Sequence, residues 1–219
     1  MNARLAFPTA PVLVTAYGLI RLADGLDGER GPGPAWTAGH LAFLGAMVLF
    51  VPVLLVLRRL AGGGRLATAI AAVGLAGAGL SMAQITIDVV VGLRAADHAA
   101  MGPMFDRVGE VPGVTLAVYD AGPSLFYVGL LAAAVHLAAR RAAPVWVPFA
   151  ILLASLASAV NLDLLPAAGL LMLSAFAPLI RPASAAVPRE AGPRHPRHAR
   201  GRRPESGVSM ARRPPSAGG

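Results

Sequence analysis

The chain has 219 residues, of which 56% are hydrophobic, and its mean hydropathy of +0.63 exceeds that of an ordinary soluble domain. It contains no cysteine and no lysine, which excludes disulfides, thiolate metal sites, a retinal Schiff base and every lysine-dependent covalent mechanism. The net charge of +8 does not indicate a nucleic-acid partner, because roughly half of the arginines follow the last apolar stretch, in residues 181–219.

Six apolar stretches predict an all-α fold, a polytopic membrane helix bundle with six transmembrane helices. Blocks of about 17 to 22 residues are enough to cross a hydrocarbon core of about 30 Å at about 1.5 Å per residue. The third stretch is longer than a span needs, so we expect it to tilt or protrude. The predicted spans are residues 5–22, 36–57, 66–93, 122–139, 144–160 and 164–180.

The first span begins with two prolines, Pro8 and Pro11, in opening turns where a missing N–H costs least. Arg4 and the apolar run after it also have the order of a signal peptide. No small-x-small cleavage site precedes the polar loop at Asp24, which favours an uncleaved span.

The third span carries a stripe of small residues, Gly74, Gly77, Ala78 and Ser81. Small side chains let a neighbouring backbone approach closely in lipid, where no hydrophobic force drives helices together. The stripe predicts helix packing, either within the monomer or in a homodimer.

Gln84 and Asp88 are four residues apart and therefore share a face of the third helix. Both lie near the outer boundary of the predicted span, whereas a proton-coupled transporter usually carries an ionisable group near the midplane. The pair either locks the outer helix ends together or forms part of a ligand site. The candidate ligand-binding residues at this end are Gln84, Asp88, Tyr119, Asp120 and Asn161.

The connection between the third and fourth spans, residues 94–120, predicts a short amphipathic helix on the outer surface. Met101, Met104, Phe105 and Val108 recur there at helical spacing, opposite charged side chains. The segment is interpreted as a surface-lying lid, with a gate or docking site for a small molecule or peptide as the alternative.

The last apolar block, residues 144–180, is too long for one helix, and we expect the chain to fold back at Asn161. Asn tolerates the left-handed conformation that closes a helix, and Asp163 is predicted to cap the next helix by accepting from the N–H of Leu165. The alternative is one long kinked helix, which would place the tail on the other side of the membrane.

Histidine and serine patterns do not indicate a catalytic or metal site. His40 and His136 lie near opposite ends of their spans and cannot share one haem, while His40 with His98 or Asp97 would form only a loose metal site. Ser124 has no histidine within hydrogen-bond reach on its own helix. We therefore predict no catalytic residue, no metal and no cofactor.

The arginines predict a plasma-membrane orientation with both termini cytoplasmic. Arg58, Arg59, Arg65, Arg140 and Arg141 fall on alternate connections, and the tail lies on their side. The tail, residues 181–219, is rich in Pro, Arg, Ser and Gly and is predicted to be disordered.

Arginines of the tail are predicted to contact anionic lipid headgroups. No aromatic residues are interleaved with them for base stacking, so no nucleic-acid partner is expected. The predicted lipid contacts are Arg189, Arg194, Arg197, Arg200, Arg202 and Arg203.

Two motifs near the end carry a family resemblance: Leu125-Phe-Tyr-Val-Gly-Leu-Leu131, then Arg140-Arg141-Ala-Ala-Pro-Val-Trp146 before two short Ala/Leu helices. They resemble uncharacterised small six-span integral membrane proteins of high-GC bacteria, in which a helix ends in basic residues and Pro-x-Trp opens a closing hairpin. The resemblance covers residues 122–180 and implies topology, not activity.

The sequence favours a non-catalytic structural, regulatory or sensory membrane component, in contact with lipids and with a homodimer or protein partner as options. The alternative is a small-solute or lipid transporter with a polar site at the outer end of the bundle. A crevice that is lined by the candidate residues and reaches the midplane would favour the alternative. A closed, tightly packed bundle would favour the first hypothesis.

Overall fold

The structure is a computed structural model that describes residues 3–26 and 28–180, and in this part of the chain it contains helices, turns and no β-strand. The all-α prediction is confirmed. A π-helical segment, Thr115–Ala121, runs directly into one helix, and short 3-10 helices, Leu162–Leu164 and Ala177–Leu179, flank the last. The helices are α1 (Ala3–Asp24), α2 (Pro34–Leu60), α3 (Arg65–Arg94), α4 (His98–Gly109), α5 (Gly122–Ala139), α6 (Trp146–Val160) and α7 (Leu165–Phe176).

Five helical stretches are long and apolar enough to cross a membrane, and α6, with 15 residues, is a shorter apolar helix. The fourth long stretch begins at Thr115, seven residues before the predicted start of that span, because the π-helical segment continues α5 without a break. The short helix α4 lies in the connection where an amphipathic helix was predicted, and Asp97 caps it by accepting from the N–H of Ala100 at 2.8 Å. These features suggest a helical membrane protein.

Six helices form a ring in the order α6, α7, α1, α2, α3, α5, with contacts between each neighbouring pair. Three antiparallel pairs, α1 with α2, α3 with α5, and α6 with α7, account for much of the packing, and α2 also contacts α5 across the ring. The contact between α5 and α6, which closes the ring, is the sparsest of the six. The ring therefore has one loose seam.

Four phenylalanines fill the centre of the bundle. Phe50 of α2 lies edge to face against Phe126 of α5 at 4.8 Å and against Phe176 of α7 at 6.2 Å. Phe7 of α1 completes the group with an edge contact to Phe176 at 5.4 Å. These contacts join four helices through edge-to-face aromatic pairs, one of the geometries that aromatic rings prefer.

The small-residue stripe of α3 packs on α5. All four stripe residues are buried, and a Cβ placed on Gly77 would overlap the backbone of Phe126. Gly74 faces Gly129 of α5 in the same way, since a Cβ on Gly129 would overlap the Gly74 backbone. The stripe is thus occupied within one chain, as the packing interpretation predicted.

The two ends of the bundle differ in charge. One end, called the basic end, carries Arg58, Arg59, Arg65, Arg140 and Arg141, and Gly62 in its α2–α3 turn approaches the Arg140 guanidinium. Gly62 and Gly63 have φ of 90° and 67°, a left-handed conformation that favours glycine and that closes α2.

The opposite end is called the α4 end because it carries that helix. The α1–α2 loop and the turn after α6 meet there, through contacts of Arg30 with Asp163. Every carboxylate in the described residues belongs to this half of the bundle. The two ends therefore reproduce the charge separation read from the sequence.

The turn after α6 lies at Asn161, as predicted, but its hydrogen bonding differs. Asn161 has an extended φ of −155°, not a left-handed one, and its Oδ1 accepts from the N–H of Asp163 at 2.8 Å. The predicted Asp163 cap on the N–H of Leu165 is wrong, because α7 has no side-chain cap. The Asp163 carboxylate instead binds arginines of the α1–α2 region.

Candidate functional site

A cavity of about 660 Å³ lies behind the seam between α5 and α6, in the half of the bundle toward the α4 end. All six helices of the ring and the π-helical segment contribute to its wall. It extends to Met47 of α2 and Ser81 of α3, both near the middle of their helices. Its size is that of a typical small-molecule site.

Four of the five candidate ligand residues line this cavity. Gln84 and Asp88 of α3 and Tyr119 and Asp120 of the π-helical segment are part of its wall. Asn161 is not part of the wall, because its side chain caps the turn before α7. The structure therefore brings together most of the predicted group, without testing whether it binds a ligand.

Asp88 is the most enclosed acidic side chain of the cavity wall, and 14% of its side-chain surface is exposed. The Tyr119 hydroxyl donates to Asp88 Oδ1 at 3.4 Å, and His40 Nε2 lies 3.9 Å from Asp88 Oδ2. Among the candidate ligand residues predicted from the sequence, Tyr119 is the one that the structure places in hydrogen-bond contact with Asp88. His40 is an additional neighbour that spacing within one helix does not reveal.

Trp36 links His40 and Asp88 through two hydrogen bonds. The Trp36 indole N–H donates to the backbone carbonyl of Asp88 at 3.1 Å. The Trp36 backbone carbonyl lies 2.8 Å from His40 Nδ1, and since a carbonyl only accepts, Nδ1 carries a proton. In the neutral ring, Nε2 then presents its lone pair toward Asp88.

The π-helical segment has a cause in the sequence. Pro123 lacks an N–H, and in a regular α-helix its ring would clash with the carbonyl of Tyr119, four residues earlier. The chain widens instead, and the Gly122 N–H donates to the carbonyl of Ala117, five residues back. Such wide turns re-aim side chains and occur often at functional sites. Here the wide turn places Tyr119 at the cavity wall.

Aromatic rings form much of the wall beside Asp88. Tyr17 of α1 stacks on Phe43 of α2 at 4.8 Å and lies edge-on to His40 at 5.4 Å. The Trp36 ring contacts the other side of His40 at 4.2 Å. Sequence reasoning missed Tyr17 and His40, because each lies on a different helix from Asp88 and only the packing of α1, α2 and α3 joins them.

Two serine hydroxyls of the wall donate to backbone carbonyls four residues earlier in the chain. Ser124 donates to the carbonyl of Asp120 at 2.9 Å, and Ser155 donates to the carbonyl of Ile151 at 2.8 Å. The hydroxyl oxygens keep free lone pairs for a ligand. Ser124, which was considered and disfavoured as a nucleophile, is therefore a wall residue here.

The rim of the cavity at the seam is apolar. Val128 of α5 is 58% exposed and Leu156 of α6 is 51% exposed, and both line the cavity. Exposed apolar side chains on a long apolar helix face lipid in a membrane. The rim of the cavity is therefore apolar on both helices of the seam.

An arginine–carboxylate cluster lies beside the cavity at the α4 end. One Arg30 nitrogen lies 2.9 and 3.0 Å from the two Asp163 oxygens, and Arg21 Nε lies 3.4 Å from Oδ1. The Arg30 carbonyl accepts from His98 Nδ1 at 2.7 Å, which ties the first turn of α4 to the same loop. This cluster fastens α1, α6, α7 and α4 together and does not line the cavity.

Metal-ligating groups do not gather at one place in the described residues, where no group of three histidine or carboxylate residues has metal-site geometry. His98 and Asp97, the two loop candidates for a site with His40, are engaged with the Arg30 carbonyl and the first turn of α4. Helix α4 supplies no residue to the main cavity, so it does not act as a wall of it.

In comparisons with known proteins, the chain matches no family model, no curated protein and no solved structure.

Proposed function

We propose that this protein is an integral membrane protein that binds a small amphiphilic molecule, which enters the cavity from the lipid between α5 and α6. The observation that carries the proposal is the cavity of about 660 Å³ with an apolar rim and a polar inner wall at Asp88 and Tyr119. An amphiphile satisfies both parts, since its apolar portion lies at the seam while its polar group lies beside Asp88.

Of the two hypotheses drawn from the sequence, the open crevice favours the transporter or carrier over a purely structural component. The crevice is lined by candidate residues and extends to Met47 and Ser81 near the helix middles. A bundle with a structural role alone has no need of so large a gap, because unfilled space forfeits packing energy.

The proposal assigns the protein no chemical reaction and no cofactor. Its setting is the plasma membrane, with both termini cytoplasmic and the α4 end outside, supported by the arginines at the basic end. In that orientation the cavity takes its ligand from the outer half of the bilayer. The tail arginines, proposed to bind anionic headgroups, lie outside the described residues.

The test begins with native mass spectrometry of the protein purified in mild detergent, to detect a bound small molecule. Ser155→Phe places a large ring in the cavity wall, whereas Ser174→Phe adds the same ring on an exposed position of α7. Both serines donate to a carbonyl of their own helix, at 2.8 and 2.7 Å, so the pair is matched. We expect the molecule to be lost from the Ser155 variant and kept by the Ser174 variant.

A protein that carries no small molecule, or one that binds it equally well with either phenylalanine, would contradict the proposal. Thermal unfolding of both variants serves as the control for folding.

A further inference from the structure

The charge on the cavity wall is acidic. Asp88 and Asp120 both belong to the wall, and no described arginine does. Lysine is absent from the whole sequence. Among the described residues of the wall, His40 is the one side chain that can become positively charged. In its neutral form His40 carries its proton on Nδ1, which faces the Trp36 carbonyl.

The nearby arginines are balanced by acids of their own. Arg21 lies near Tyr17 but does not itself line the cavity. Arg21 and Arg30 share a narrow cleft with Asp24, and both contact Asp163. Two carboxylates, Asp163 in ion pairs and Asp24 in the same cleft, therefore lie beside the two guanidinium groups and offset their charge.

Several polar atoms of the wall are free to accept hydrogen bonds. The Ser124 and Ser155 hydroxyls donate to helix carbonyls, which leaves their oxygen lone pairs without a donor of their own helix. The Tyr119 hydroxyl donates to Asp88 Oδ1 at 3.4 Å. A ligand that donates hydrogen bonds, or that carries positive charge, meets matching groups here.

Aromatic faces supply the third part of the match. Phe43, Tyr17 and Tyr119 line the cavity near Asp88. A cation within about 6 Å of such a ring is attracted by the negative face of its π-system, most strongly where water is excluded. Aromatic rings also contact the apolar part of an amphiphile.

We propose that the ligand of this cavity is an amphiphilic cation, an ammonium or another lipophilic cation whose charged group lies between Asp88 and the aromatic rings. Its apolar part lies against the seam of α5 and α6. This inference rests on the proposed function and adds the ligand class to it. It stands on the juxtaposition of two carboxylates, hydroxyl acceptors and aromatic rings in a cavity without a basic side chain other than His40.

The test uses two ions of nearly the same size and shape, tetraphenylphosphonium and tetraphenylborate, which differ in the sign of their charge. Binding of each to the purified full-length protein in a nonionic detergent is measured by equilibrium dialysis, with protein-free micelles as the blank. We expect the phosphonium ion to bind at least about tenfold more tightly, which corresponds to less than half of the interaction energy of two unit charges roughly 5 Å apart at an effective dielectric constant of about 20.

A matched pair of variants tests whether the carboxylate of Asp88 attracts the phosphonium ion. Asp88→Asn removes the carboxylate of the cavity wall, whereas Asp106→Asn removes one from the exposed face of α4, which does not line the cavity. We expect phosphonium binding to fall about tenfold in the first variant and to stay unchanged in the second.

Each other result overturns the inference in a recognisable way. Equal or tighter binding of tetraphenylborate would refute the cation preference while leaving amphiphile binding in place. Equal phosphonium binding by the Asp88→Asn and Asp106→Asn variants would show that the Asp88 carboxylate is not the group that attracts the cation and would refute its assigned position. Failure of the wild-type protein to bind either ion would refute the ligand class, and the co-purification test with the Ser155 variant would then decide the proposed function separately. The ion comparison uses the wild-type protein, so it holds even if Asp88→Asn does not fold.

Discussion

At the scale of single residues, the structure explains why one acidic side chain, Asp163, differs from the others at the α4 end. It receives Arg30 at 2.9 Å and Arg21 at 3.4 Å, and about a third of its side chain is exposed. Asp163 lies in the turn of the last hairpin, whereas its partners belong to the first one. A local turn signal in the sequence is thus also a tertiary contact between two neighbouring hairpins of the ring.

Replacing Asp163 with Asn is expected to lower the free energy of unfolding by about 1–2 kcal/mol, between the values for an exposed and a buried ion pair. The change removes the shared partner of Arg30 and Arg21 but keeps the Asn161 cap, which uses the backbone N–H of residue 163. Thermal unfolding in detergent measures the effect.

Asp106→Asn is the control, because Asp106 is exposed on α4 and its carboxylate forms no ion pair with another described residue. Equal unfolding temperatures for the Asp163 and Asp106 variants would show that the cluster contributes nothing to stability.

At the scale of elements, the contact between α3 and α5 depends on glycines on both helices. Gly77 meets the backbone of Leu125 and Phe126, and Gly74 meets Gly129. Without a Cβ, the two backbones approach closely enough for dispersion contacts to hold the helices in lipid. This contact also positions the first turns of α5, and with them the π-helical segment that carries Tyr119.

Gly77→Ala is expected to destabilise the protein by about 3 kcal/mol, because the added methyl group would overlap the backbone of α5 and the helices would have to separate. The measurement is the midpoint of thermal unfolding, together with the yield of folded protein.

Gly79→Ala is a matched control on the same helix, since a Cβ at Gly79 meets no atom within 4 Å. Its effect is expected to stay within about 1 kcal/mol and to be stabilising, because Ala favours helix over Gly. If Gly79→Ala were as harmful as Gly77→Ala, helix propensity and not the close approach would be the cause.

At the scale of the whole molecule, the arrangement of charge between the two ends predicts how the bundle lies in a membrane. Reporter fusions after Leu60 and after Ala142, both at the basic end, are expected to report a cytoplasmic location. A fusion after Glu110, at the α4 end, is expected to report an external one. An external signal from either basic-end fusion would refute the proposed orientation.

The seam between α5 and α6 is a property of the whole ring. Those helices are joined by a short turn at the basic end, yet they contact each other sparsely, and the cavity opens between their α4-end halves. Exposed Val128 and Leu156 at this opening make sense when lipid is the solvent. The seam is the proposed entry for the ligand, and its exposed apolar side chains are those expected of a surface that faces lipid.

The sequence alone determined the helices, the turn at Asn161, the amphipathic α4 and the separation of charge, because apolar periodicity, loop composition and helix caps act over a few neighbouring residues. It also indicated the small-residue stripe and most of the candidate cluster, since Gln84 and Asp88 share one helix face and Tyr119 and Asp120 lie in one short segment. The sequence did not predict every helix end, because the π-helical segment makes one span longer at its start.

Only the tertiary structure decided which helices are neighbours, and therefore that His40 and Tyr17 lie beside Asp88 and that Asp163 binds arginines instead of capping α7. These contacts join residues far apart in the chain, and no local pattern encodes their distance. The cavity is likewise a gap between packed helices. Its existence depends on how side chains fill the ring, which is a property of packing and not of any one segment.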